Sequence, residues 1–337
     1  NNQAVIPYYH QGVGTGFGTR ILGSIAGIGV DQRIKSAYKF IAQSYKPKDK
    51  IYVFGFSRGA YIARSLNGLI EFAGLVKSDQ LNNAQIGRYT NQLYKLYNVN
   101  NDGKPSFERN LYKKIADGAK DIPLYRGATK VIVTGIGVFD TVPALGLTRD
   151  DYPDDHRTNL YAEEGYHALA INEQRNDFRL LRFDDTIDES IQTLNEVWFA
   201  GAHADVGGGY GDEFGLESVS RHWMLEQFTR HKLFPEQRTI NCDLKNATCE
   251  RGQLHDEFLD ANNVFAAFGI HWRKPLKGDI IHCSVINRWN LASLPIPHPE
   301  EETDGLYRPR NLYPQEKANF KIAEDGHYQC PQGDSRD

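Results

Sequence analysis

Cysteine is scarce in this chain. Of 337 residues only Cys242, Cys249, Cys283 and Cys330 are cysteines, too few and too scattered for a disulfide scaffold, and at spacings that fit no zinc pattern. Cys242 and Cys249 flank a polar loop and could bridge in an oxidising compartment; free thiols are the default expectation. No apolar run reaches the length needed to span a bilayer, the longest strand-like run being Val131 to Phe139. Charge of one sign is not in excess either. A net charge of −4 gives no general attraction to nucleic acid or to anionic membrane surfaces. No secretory signal peptide is visible and the first residue is Asn1, so a processed form or a fragment is expected. There is no internal repeat and no clear linker. What is present, 40% hydrophobic and 24% charged residues, is an ordinary globular composition. The length suits one large α/β domain or two small ones, and a single domain over 1–337 is the expectation.

Cofactor and metal motifs are also missing. Gly12 to Gly18 fails as a dinucleotide loop, because Phe17 or Thr19 stands where the third glycine belongs, and no Gly-Lys-Ser/Thr follows for a nucleotide phosphate. Asn98, Asn100, Asp102 and Gly103 resemble the start of a calcium loop, but Arg109 occupies the place of the bidentate glutamate. Gly207 to Glu213 has no aspartate at the offset a calcium-binding glycine repeat requires. Asn246-Ala247-Thr248 is a glycosylation sequon without a signal peptide to give it meaning. No metal, cofactor or nucleic-acid partner is expected.

The chain does carry several near-continuous apolar runs separated by helical stretches, the pattern of a mostly parallel sheet covered by helices on both faces. Short strands are predicted at 4–9, 51–55, 130–140 and 196–203, and helices at about 31–46, 58–72, 216–231 and 258–267. Residues 81–126 read as a helical insertion suited to a lid. Ile86, Tyr89, Leu93 and Leu96 form one apolar stripe there, and core or lid packing explains it better than a membrane-binding face. From 295 to 337 the chain is rich in Pro, Glu, Arg and Asn and reads as a surface-wrapping tail.

The most informative stretch is Ile51 to Arg64. A buried strand leads through Gly55-Phe56-Ser57-Arg58-Gly59 into a helix. A serine hydroxyl is a weak nucleophile unless it is held exposed beside a base, and a strand-to-helix elbow does that. Gly55 and Gly59 are both expected to be required, since a Cβ at either position would strike the neighbouring strand or helix. The backbone N–H of Arg58, at the N-terminus of the new helix, would face negative charge developing on a substrate oxygen. With 31 glycines in the chain the bare motif is weak, and it is the flanking strand and helix patterns that give it force.

In an open parallel sheet, functional groups gather at the carboxyl ends of the strands. Ser57, Asp140 and His203 each fall where a predicted strand stops, in the chain order of a Ser-Asp-His triad. Ser57 would be the nucleophile, His203 the base, and Asp140 the group that orients the imidazole. Alternatives stay open at this level. Asp140 could simply cap the next segment. Asp205 could act in place of its neighbour His203. His282, which also follows an apolar run, is the second candidate base, whereas His222, His231 and His271 read as structural.

Three segments together resemble the α/β-hydrolase family that includes the phospholipase effectors of bacterial type VI secretion. They are Gly55 to Tyr61, Gly137 to Val142, and Trp198 to Tyr210 with its His203-Ala204-Asp205-Val206-Gly207-Gly208-Gly209-Tyr210 run. Weaker echoes are Tyr9 to Thr15, Asn172 to Arg175, His282 to Val285 and Tyr307 to Arg310. The resemblance implies an α/β-hydrolase fold, with Ser57, Asp140 and His203 as a triad cleaving acyl esters of phospholipids. It also implies peripheral membrane contact, an immunity protein as partner, and a secreted effector acting in the periplasm of a target cell; the alternative location is the cytoplasm. The family's opening strand, which ends in Asp-Gly-Thr, is missing here, so the second oxyanion donor has no assignment. A soluble esterase for non-lipid esters, or a silent hydrolase fold used for binding, are the competing functions.

Overall fold

A computed structural model of the chain describes residues 4–10, 29–98, 107–143, 159–184, 190–210, 215–234, 249, 252–255, 269–290 and 321–323. Helix α1 (Val30–Ser44) buries Val30, Ile34, Tyr38 and Ala42, four residues apart each time, and so presents one apolar stripe. Strand β1 (Tyr52–Phe56) leads through Ser57 into α2 (Arg58–Ala73). Twelve of the 16 residues of α2 are buried, Arg64 among them. That guanidinium lies over the Phe183 ring and donates to the Leu181 and Arg182 carbonyls, which satisfies a charge that burial would otherwise penalise heavily.

After the short strand β2 (Leu75–Val76), α3 (Asn83–Tyr97) begins at a capping box. The Asn82 side chain accepts from Gln85 N–H, and the Gln85 side chain accepts from Asn82 N–H. Ile86 and Leu93 are buried, and Tyr89 and Leu96 are packed against the same core, so the stripe on this insertion is core packing. Helix α4 (Phe107–Gly118) and strand β3 (Leu124–Tyr125) follow, β3 pairing antiparallel with β2.

The remaining elements are β4 (Gly135–Phe139), β5 (Glu164–Ala170), β6 (Thr193–Phe199), α5 (His203–Gly207), α6 (Glu217–Thr229), β7 (Ile280–His282), α7 (Cys283–Asn290) and β8 (Lys321–Ala323). The main sheet has the order β1-β4-β5-β6-β7-β8 and is mostly parallel, with β7 running parallel to both β6 and β8. With seven α-helices among the described residues, the chain is α/β, as its run pattern implies.

The chain forms two compact units. The first comprises Asn1–Val138, Pro143–Gly165 and Leu181–Leu194, and the second Phe139–Val142, Tyr166–Leu180 and Asn195–Asp337. Leu69, Leu75, Leu93 and Ile136 are among the fully buried core of the first, while Leu169, Trp198, Ile281 and Val285 are in a core cluster of the second.

Several sequence expectations need correction. Residues 4–9 form no strand and are exposed. Residues 131–134 are not strand, since β4 starts only at Gly135. Strand β6 ends at Phe199, four residues before His203, because Gly201 at φ +127 turns the chain out of the sheet. Strand β5 was not expected at all; its Ala-rich Glu-Gly-Tyr-His-Ala-Leu-Ala sequence has little β-propensity, and burial from Gly165 onward is what holds it in the sheet. Lys321–Ala323 is a strand of the main sheet inside the span read as a tail. Cys283 is free and buried, but Cys249 is buried and disulfide-bonded, which overturns the free-thiol expectation there; its partner lies outside the described residues. The glycine run 12–18, the sequon at Asn246 and the helix expected at 258–267 also lie outside them.

Candidate active site

In the first unit, Ser57 joins β1 to α2 at φ 59, ψ −127, far from both the right-handed and the left-handed helical wells. A non-glycine residue held there costs about 1–3 kcal/mol, a strain that persists only where the surroundings impose it. The Ser57 carbonyl accepts from Ala60 N–H at 3.0 Å and Tyr61 N–H at 3.3 Å, while its side chain does not cap the helix it starts. Gly55 makes the turn sterically achievable. A Cβ there would lie 2.4 Å from the Gly59 carbonyl oxygen and 2.7 Å from Ala60 Cα, both backbone atoms. Gly59 differs: among the described residues nothing lies within 4 Å of a Cβ placed on it, contrary to the expected clash with a neighbouring strand or helix. Arg58 is the first residue of α2. Burial pulls its side-chain pKa below the ordinary arginine value, and the neighbouring charge of Arg33 adds to that.

In the second unit, Asp140 follows β4 at φ +41 and is fully buried. Its oxygens do not cap the following segment. Oδ1 accepts from Ala170 N–H at 2.9 Å and from Arg273 Nη1 at 2.5 Å, and Oδ2 lies 2.6 Å from His203 Nδ1. Burial alone would push this carboxyl up, but the Arg273 guanidinium and His203 outweigh it and hold it well below the usual carboxylate range.

His203 opens α5 and is nearly buried. With Nδ1–H donating to Asp140, its Nε2 is the lone-pair nitrogen. The Phe178 ring meets the imidazole edge to face at 5.0 Å. The His203 backbone N–H donates to Glu173 Oε2 at 3.2 Å. Glu173 is itself gripped by Arg175 through Nε at 2.9 Å and Nη2 at 2.7 Å. Burial raises the Glu173 carboxyl, but Arg175 and the more distant Arg273 bring it down to about 2. Asn172 ties this loop to the turn before His203, accepting from Gly201 N–H and donating its own N–H to the Gly201 carbonyl.

Asp205 has a partner other than His203. It lies 2.7 Å from His255 Nδ1 and accepts from the Ala202 and His255 backbone N–H groups. Burial pushes its carboxyl up, against the pull of those bonds. His282 is fully buried, stacked on Phe199 at 4.7 Å, and its Nδ1 accepts from Ser284 N–H. The imidazole on Asp140 is that of His203. His222 sits 3.4 Å from Glu226 on its own helix.

The sequence reading named Ser57, Asp140 and His203 but missed Arg273 and His255. Arg273 meets Asp140 across 133 residues and His255 meets Asp205 across 50, with no local pattern to mark either. Glu173 and Arg175 appeared only as a faint echo.

A family model described as the T6SS phospholipase effector Tle1-like catalytic domain matches residues 1–227. The chain belongs to this family. An uncharacterized protein of Saccharomyces cerevisiae, YEL023C, is 31% identical over 194 residues, a match spanning 53% of this chain and 27% of that protein. No solved structure matches. The Ser57 elbow, Asp140, His203, Glu173 and Arg175 all fall inside the matched residues of this phospholipase-effector family, whereas Arg273 and His255 lie beyond them.

Proposed function

We propose that the chain is a serine hydrolase of acyl esters, acting on phospholipids through Ser57, His203 and Asp140. The observation that carries this reading is Ser57 held at a strained strand-to-helix elbow in a chain of a phospholipase-effector family. Ser57 Oγ attacks the acyl carbonyl, and His203 Nε2 takes its proton. Asp140 keeps Nδ1–H in place and stabilises the imidazolium. The Arg58 N–H, at the start of α2, faces the negative charge that forms on the carbonyl oxygen. Collapse of the tetrahedral species breaks the ester bond, with His203 returning the proton to the departing alcohol. Water, deprotonated by His203, then cleaves the acyl-enzyme to free fatty acid and regenerates Ser57.

As a member of an effector family, the chain acts on a target cell's phospholipids; no helix among the described residues is long and apolar enough to cross a membrane. An immunity protein in the producing cell completes this reading.

The test is fatty-acid release from mixed phospholipid vesicles by wild type and by Ser57→Ala. Release that vanishes in the variant supports the proposal. Release from short soluble esters alone would make the protein an esterase, and no turnover of either would leave a silent binding fold.

A further inference from the structure

Arg273 lies on an irregular segment where His271 N–H bonds the Gln174 carbonyl, and only 4% of the residue is exposed. Its Nη1 donates to Asp140 Oδ1 at 2.5 Å and to the Ala170 carbonyl at 3.0 Å, and its Nη2 donates to the Phe178 carbonyl at 2.6 Å. One cation therefore touches the carboxylate that holds His203, the last carbonyl of β5, and the residue whose ring lies against the imidazole. We infer that Arg273 is a positioning residue for the His203–Asp140 pair, fixing the plane of the carboxylate and setting the pH at which His203 becomes a free base. The inference rests on the reading of that pair as catalytic.

Charge balance gives the physical reason. With neutral His203 the pair carries one negative charge, so it accepts a proton readily when buried. Arg273 cancels that charge, and a proton added to His203 then has to enter beside a fixed cation. Among the described residues, the other charged groups near the pair come from the loop after β5 and from α5. Glu173 accepts the His203 backbone N–H, but Arg175 neutralises it with a two-pronged ion pair. On α5 itself, Asp205 is engaged with His255. Arg273 is thus the charge whose loss leaves the pair uncompensated. The geometry acts in the same direction: Oδ1 is held from two sides, by Arg273 and Ala170 N–H, which leaves Oδ2 for Nδ1.

The experiment uses the full chain as wild type, Arg273→Lys and Arg273→Met. It reads kcat/KM against pH on a short-chain p-nitrophenyl ester, together with the NMR titration of the His203 imidazole, assigned with His203→Gln. In Arg273→Met the midpoint of the acid limb and of the imidazole titration rises by about one pH unit or more. In Arg273→Lys the charge stays and the midpoint holds within roughly 0.3 units, while kcat falls about tenfold at unchanged KM because a single ammonium cannot reproduce the fork. A midpoint unmoved in Arg273→Met, with only a lower thermal transition, overturns the inference. If Arg273→Met does not fold, a Lys variant with a shifted midpoint and full kcat overturns it equally. Wild type that turns over no ester while the imidazole titration still shifts supports the role of Arg273 and refutes the hydrolase reading; turnover with an unshifted titration does the reverse.

Discussion

Alanine at Gly55 and alanine at Gly59 test the elbow most sharply, because the motif treats the two glycines alike and the structure does not. At Gly55 the added Cβ sits 2.4 Å from the Gly59 carbonyl oxygen, about 1 Å inside ordinary contact, and the atoms around it are backbone. No rotamer change relieves such a clash, so α2 must shift relative to β1 by about that 1 Å. Overpacking of this kind costs about 1–3 kcal/mol, and with about 2–4 °C per kcal/mol in a unit of this size the thermal midpoint drops by roughly 2–12 °C. The functional loss is larger in proportion, since a 1 Å misplacement of a nucleophile costs on the order of 10²-fold in rate. At Gly59 a Cβ meets nothing within 4 Å among the described residues, and the residue lies in the first turn of α2. Alanine there stabilises by up to about 1 kcal/mol through better helix propensity. The assays are thermal unfolding by circular dichroism and the rate of Ser57 labelling by a fluorophosphonate probe. Wild-type stability and labelling in Gly55→Ala would refute the steric account of the elbow, as would Gly59→Ala destabilised by as much as Gly55→Ala.

Two further outcomes follow from the second unit. His203→Ala abolishes turnover by about 10³-fold or more, whereas His282→Ala keeps it and lowers stability through the lost stack on Phe199; the reverse pattern in a steady-state assay would show that the base is His282. Asp140 and Glu173 have folded values below their ordinary 3.8 and 4.5, Glu173 at about 2, so each adds stability above those values that is lost as the pH falls through the folded ones. Asp205, raised by burial, works in the opposite sense only above its ordinary 3.8, so the thermal midpoint should fall between pH 3.8 and 2. A midpoint that holds or rises over that range, followed by calorimetry, would contradict this balance.

Local sequence determined what depends on neighbours along the chain. The Gly-x-Ser-x-Gly elbow, the buried run of β1 and the four-residue spacing in α1 are each written within 15 residues, so periodicity and turn chemistry reveal them. Asp140 and His203 were legible for a related reason: each follows a recognisable strand, although β6 stops four residues before the histidine. Tertiary structure alone decided the rest. It placed Arg273 on Asp140, His255 on Asp205 and Glu173 beneath the backbone of His203, contacts separated by 133, 50 and 30 residues. It made β5 a strand against its propensity, bonded Cys249 in a disulfide, and freed Gly59 from the constraint that binds Gly55. The reason is common to all of these. Propensity and pattern act over a few residues, whereas the satisfaction of a buried charge, or the room for one methyl group, depends on whatever the fold brings alongside.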